Sequence, residues 1–112
     1  DRNRNLEEAA RLILKALEAE PENDAYLDSL AWVRYRQGRF DEAHDAMNQA
    51  LRHGDANVDP VILDHAGDIC RALGLDIMAE WYWEEALRRD PPNRDDILGK
   101  LGRPKSSGQA AQ

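Results

Sequence analysis

A self-similar pair of helical segments recurs along this chain at offsets of 34 and 36 residues, and no other feature limits its fold as tightly. Residues 24–51, DAYLDSLAWVRYRQGRFDEAHDAMNQAL, hold the complete form. Leu27, Leu30 and Ala31 fall at i, i+3 and i+4 and share one helical face, with Asp28 and Arg34 turned elsewhere. Phe40, Ala43, Met47 and Ala50 fall at i, i+3, i+7 and i+10 and make a second stripe. Gly38, in the Gln37-Gly38-Arg39 turn, has access to the left-handed conformation that closes a helix. Ala31, Ala43 and Ala50 let two backbones approach closely while Phe40 and Met47 fill the space beside them. The pattern predicts an antiparallel helical hairpin.

The rest of the chain partly copies it. In residues 5–23, Leu6, Ala9, Ile13 and Ala16 repeat the spacing of Phe40, Ala43, Met47 and Ala50 at the 34-residue offset. Residues 61–87 repeat the whole unit at the 36-residue offset, with Gly74 for Gly38 and Ala79, Trp83 and Ala86 for Ala43, Met47 and Ala50. The two extra residues fall in 52–60, RHGDANVDP, a loop by composition. Asp59 is an N-cap and Pro60 suits a first helical turn, so a helix is expected to begin at residue 60; Asn23 or Asp24 does the same after Pro21. Arg88 and Arg89 suit a helix C-terminus, and Asp90-Pro91-Pro92 stops it. A short helix over 94–101 offers Ile97, Leu98 and Leu101 as a partial lid. Residues 102–112, GRPKSSGQAAQ, lack periodicity and are expected to be disordered.

Leu27, Leu30, Ala31, Gly38, Phe40, Ala43, Met47 and Ala50, and then Leu63, Ala66, Gly67, Gly74, Ala79, Trp83, Ala86 and Pro91, together resemble the tetratricopeptide repeat, a helix-turn-helix unit of about 34 residues. The resemblance runs from Leu6 to Pro91. It implies an all-α, right-handed α-solenoid of antiparallel hairpins, about two and a half repeats with a short C-terminal capping helix: a half repeat over 5–20, repeats over 24–53 and 60–90, and the cap over 94–101. The stretch DSLAWVRYRQGRFDEA is similar to the closing repeats of longer bacterial proteins of the family. Three positions depart from the pattern. Arg34 stands where the family often has an aromatic residue, the first unit lacks a closing proline, and Asp76 replaces Phe40, so the second turn is expected to be built around Leu75.

Charge and composition limit the function. With 22 acidic against 15 basic residues the formal net charge is −7, and the Arg residues are scattered rather than clustered, so a nucleic-acid backbone is not an expected partner. No apolar run reaches the roughly 20 residues of a membrane helix, so direct membrane insertion is not expected. Cys70, the single cysteine, sits on an apolar stripe between Ala66 and Leu73 and reads as a packed thiol compatible with either redox setting. No phosphate loop, zinc-ligand spacing or nucleophile motif occurs, and neither an enzyme nor a cofactor is expected. Asp64 and Asp68 share a helix face, but His65 points away from it, so a metal or acid–base cluster is less expected than a solvated face. His44 and His53 are expected to be exposed or helix-terminal, and Trp81 and Tyr82 to pack against an adjacent helix or cap.

The resemblance further implies that the first helix of each unit lines a concave groove, placing Asp28, Trp32, Tyr35 and Arg36, then Asp64, Asp68 and Arg71, on one binding stripe with Ala25, Val61 and Ala72. The spacing agrees, since Asp28, Trp32 and Tyr35 follow the same i, i+4, i+7 interval as Asp64, Asp68 and Arg71. The stripe is acidic with an aromatic centre, which points to a protein or peptide partner carrying basic residues. It is the wrong chemistry for gripping a C-terminal carboxylate. The alternative is self-association, since residues 5–20 make a second helix without its first, and the bare apolar face must meet something, an upstream repeat or another copy.

Overall fold

The computed structural model describes residues 2–52 and 57–105, with the backbone alone for Arg2 and Asn3. Among the described residues there are six helices and no strand: α1 (Arg2–Ala19), α2 (Asp24–Arg36), α3 (Phe40–Ala50), α4 (Pro60–Ala72), α5 (Asp76–Leu87) and α6 (Arg94–Lys100). They fall into two compact units, Asp1–Val58 and Asp59–Gln112. None of the described helices is long and apolar enough to cross a membrane.

In the first unit α2 packs against both α1 and α3. α1 begins three residues earlier than the half repeat read from the stripe, because Arg2, Asn3 and Arg4 extend the helix without adding to its apolar face. Asn23 provides the cap at the start of α2, its Oδ1 accepting from the Tyr26 N–H at 3.0 Å. Leu27, Ala31, Ala43, Ala46, Met47 and Ala50 form the core between α2 and α3, whereas Leu30 is half-buried. Burial of side chains the size of Leu27 and Met47 contributes about 1.5–3 kcal/mol each.

The turn between α2 and α3 is closed by backbone bonds that need a left-handed residue. Gly38 has φ +80°, its N–H donates to the Tyr35 carbonyl at 2.9 Å, and the Arg39 N–H reaches back to the Arg34 carbonyl at 2.8 Å. Arg34 supports the same turn from its side chain, donating to Gln37 Oε1 at 3.0 Å and pairing with Glu42 at 3.6 Å. The residue that departs from the expected aromatic is thus a hydrogen-bonded cation.

The second unit repeats this construction. Asp59 caps α4 by accepting from the Val61 N–H at 2.9 Å, with Pro60 in the first turn. Gly74, at φ +78°, donates to the Arg71 carbonyl at 3.0 Å, and the Leu75 N–H donates to the Cys70 carbonyl at 2.9 Å. Leu75 is 38% exposed, so the turn is not built around its side chain; backbone geometry alone makes both turns alike. α4 and α5 approach closely because Gly67 has no side chain: a Cβ there would lie 2.3 Å from Trp83 Nε1. Trp83 fills the space, 1% exposed, and its Nε1 donates to the Asp64 carbonyl at 3.3 Å.

α5 ends at the prolines as the sequence indicates. Asp90 takes φ +52° and Pro91 is buried behind it. α6 then packs on α5, burying Ile97 and Leu98, while Leu101 is only half-buried. Gly102 and Arg103 do not behave as the start of a free tail. The Arg103 N–H donates to the Leu98 carbonyl at 2.8 Å and its guanidinium pairs with Glu84 of α5, which pins the end of α6. The expected disorder of residues 106–112 lies outside the described residues.

Candidate functional site

The residues assigned to one binding stripe differ in environment between the two units. On α2, Trp32 and Tyr35 are half-buried and stack at 4.9 Å between ring centroids with 16° between planes. Their i, i+3 spacing puts them on the same side of the helix, so the stack follows directly from helix geometry. Tyr35 also meets Phe40 of α3 at 5.6 Å, which ties the pair to the hairpin. Asp28 is half-buried one turn before Trp32, and Arg36 is exposed at the end of α2. This unit therefore presents a held aromatic surface bounded by an acid and a base.

On α4 the expectation of exposed acids needs correction. Asp64 is 5% exposed and Asp68 half-buried, because Lys100 of α6 lies between them. Lys100 Nζ stands 2.8 Å from Asp64 Oδ1 and 3.0 Å from Asp68 Oδ1. Asn93 Nδ2 donates to the other Asp64 oxygen at 2.9 Å. The cation that these acids were expected to take from a partner is supplied by their own chain. Arg71 is exposed, with its guanidinium 4.4 Å from the Trp83 ring centroid, and Lys100 lies 5.9 Å from the same ring.

The electrostatics of this cluster follow from its burial. Burial pushes the Asp68 carboxyl above its ordinary range and outweighs the hydrogen bond and charge of Lys100, which pull it down. Burial lowers Lys100, but its hydrogen bonds to Asp64 and Asp68 outweigh that and leave it above the ordinary lysine value. The two directions oppose one another: charging Asp68 costs desolvation, while Lys100 is held charged. Lys100 lies within ion-pair distance of both carboxylates. Among the described residues no group of three or more His, Cys, Asp or Glu side chains is placed to hold a metal.

Other positions also differ from expectation. His44 is half-buried, with Nε2 enclosed and without a hydrogen-bond partner, because it follows buried Ala43 on α3; His53 lies outside the described residues. His65 is half-buried. Cys70 is a buried thiol whose pKa burial pushes up. Trp81 is 57% exposed rather than packed against a neighbouring helix, since it lies two residues before the core residue Trp83 and so about 200° round the helix from it. Its ring meets Tyr82 edge-on at 5.2 Å.

Comparison with known proteins agrees with this architecture. Over 52 residues, 46% of its length, the chain is 44% identical to a TPR repeat-containing protein of Pseudomonas aeruginosa. The C-terminal part of a TPR repeat-containing protein from Cytophaga hutchinsonii matches 90% of the chain with a TM-score of 0.76. The chain has the fold of a tetratricopeptide-repeat protein. The Cytophaga structure is 24% identical and shares the fold; the chain covers 39% of it. The chain spans 9% of the length of the Pseudomonas relative. No protein-family model matches.

Two kinds of site residue escaped the sequence reading. Lys100 and Asn93 complete the α4 acidic cluster from 29 to 36 residues away, and no local spacing marks them. Ile77, Met78 and Trp81, by contrast, are exposed on α5 and were marked by the repeat itself, since the first repeat has Asp41, Glu42 and Asp45 at the corresponding positions.

Proposed function

We propose that the chain is a protein-interaction module that holds a partner peptide on the first-helix face of its repeats, with Trp32 and Tyr35 of α2 as the principal contact. The observation that carries this reading is the half-exposed Trp32–Tyr35 stack, a large flat surface fixed by Phe40. Tyr and Trp give contact area at low entropic cost and accept cations over their faces. Asp28 and Arg36 at the two ends set the polarity of the peptide, with its basic residue towards Asp28. Asp64 and Asp68 contribute only where a partner's cation displaces Lys100, and Arg71 contributes through its exposed guanidinium. The test is a peptide-display selection on the full chain beside Trp32→Ala and Asp28→Lys. Enrichment of basic-aromatic peptides that both variants lose, with melting temperatures unchanged, supports the reading; peptides that bind both variants as well as the parent refute it.

A second reading, association of copies through α1, draws on the exposure of Leu12 (53%) and Leu14 (42%), which flank the stripe facing α2. A molar mass that rises with concentration and falls back in Leu12→Lys, Leu14→Lys would support it. A constant monomer mass would remove it.

A further inference from the structure

The outward face of α5 is apolar where a solvated helix would be charged. Helix geometry puts Ile77 and Trp81, at i and i+4, roughly opposite the core line Ala79, Trp83 and Ala86. Ile77 is 85% exposed, Trp81 57%, Met78 44% and, at the start of the helix, Leu75 38%. Beside them Gly74, Leu75, Asp76, Ile77 and Met78 line an open hollow of about 380 Å³. Packing within the hairpin does not call for this pattern, because the first repeat carries Asp41, Glu42 and Asp45 where the second carries Ile77, Met78 and Trp81. One repeat presents three acids at these positions and the other an isoleucine, a methionine and a tryptophan, a contiguous exposed patch of the kind that marks an interaction surface.

The charges around the patch select its partner. α5 contains Asp76, Glu80, Glu84 and Glu85 and no basic residue. Glu84 and Glu85 are neutralised by Arg103, Arg88 and Arg89. Asp76 and Glu80, which border Ile77 and Trp81, form no ion pair among the described residues. The rim is therefore anionic, which repels an acidic lipid surface and complements a partner bearing cations. The i, i+4 ridge of Ile77 and Trp81 with a hollow beside it matches the packing of ridges into grooves between two helices.

We propose that the outward face of α5, formed by Leu75, Ile77, Met78 and Trp81, docks an amphipathic helix of another protein whose apolar line is bordered by Lys or Arg. The partner's apolar side chains cover Ile77 and Trp81, one of them enters the hollow, and its cations meet Asp76 and Glu80. This surface shares no residue with the Trp32–Tyr35 stack.

The test titrates the full chain with an 18-residue synthetic helix, leucine on one face and lysine on the other, following the Trp81 indole and the Ile77 and Met78 methyl groups by NMR. Saturable shifts at those groups are expected, weakened at least tenfold in the triple variant Ile77→Asp, Met78→Glu, Trp81→Asp. Those replacements are what the first repeat already carries, so the hairpin is expected to keep its melting temperature. A second variant, Asp76→Lys with Glu80→Lys, keeps the apolar face and should come to favour a leucine–glutamate helix. Equal binding by parent and triple variant, or shifts confined to Trp32 and Tyr35, would overturn the proposal. So would tighter binding to phosphatidylglycerol vesicles than to the helix, or dimerisation of the chain that the triple variant abolishes.

Discussion

Replacing Lys100 by alanine probes how α6 is fastened to α4. In the folded chain Nζ reaches Asp64 at 2.8 Å and Asp68 at 3.0 Å, and the Asp64 side chain is 8% exposed. Removing one member of a fully buried pair costs about 3–5 kcal/mol, because the remaining charge is left without compensation. Here Lys100 is itself 24% exposed, so water enters the vacated space, and Asn93 still donates to Asp64. These features reduce the expected loss to about 2 kcal/mol, or a fall in melting temperature of about 8 °C for a chain of this size. Arg103→Ala serves as the comparison: its pair with Glu84 is 47% and 35% exposed, and loss of such a surface pair costs under about 1 kcal/mol. Thermal melts by circular dichroism give the stabilities, and amide exchange over 94–103 shows whether α6 loosens first. In a double-mutant cycle with Asp64→Ala, the Lys100 and Asp64 losses should be less than additive by about 1 kcal/mol or more. A Lys100→Ala protein that melts within 2 °C of the parent, or a coupling indistinguishable from zero, would refute the assignment of this cluster as the fastening.

The same cluster sets a dependence on alkaline pH. Because the folded pKa of Lys100 lies above its ordinary 10.5, its contribution is fully present below that value and is lost as pH rises through the folded pKa. Melting temperature should fall above about pH 10.5 in the parent, and Lys100→Met should lack that part of the fall. Asp68 acts in the opposite sense to a typical paired carboxylate: its raised pKa gives stability that is present in acid and fades as pH rises above its ordinary 3.8 through the folded value, so Asp68→Asn should flatten the melting curve in that window. Gly67→Ala places a methyl group 2.3 Å from Trp83 Nε1, and chemical denaturation should register a loss of about 1–3 kcal/mol or more; an unchanged midpoint would mean that α4 and α5 do not meet at Gly67.

Most of the fold was legible from residues close in sequence. The stripes Leu27–Ala31 and Ala43–Met47–Ala50 identified the paired helices, and Asn23, Asp59, Gly38 and Gly74 marked where they start and turn. These signals are local because capping and left-handed turns depend on residues within one helical turn of each other. The repetition of one turn geometry survived the exchange of Phe40 for Asp76, since backbone hydrogen bonds rather than the side chain close it. The outward position of Trp81 and the contrast of Ile77, Met78 and Trp81 with Asp41, Glu42 and Asp45 were equally present in the sequence, in the helical phase and the repeat offset.

The state of Asp64 and Asp68 was not. On a helical wheel they share a face with the positions expected to line a groove, and their charge suggested solvent. Only the return of the chain through Pro91 and Pro92 into α6 brings Lys100 and Asn93 back over α4, exchanging water for an ammonium and an amide. The sequence by itself determined that the chain forms capped, antiparallel helical hairpins, because periodicity and turn chemistry act over a few residues. Tertiary structure alone decided which of its acids face solvent, because the burial of a charge depends on a partner that arrives from elsewhere in the chain.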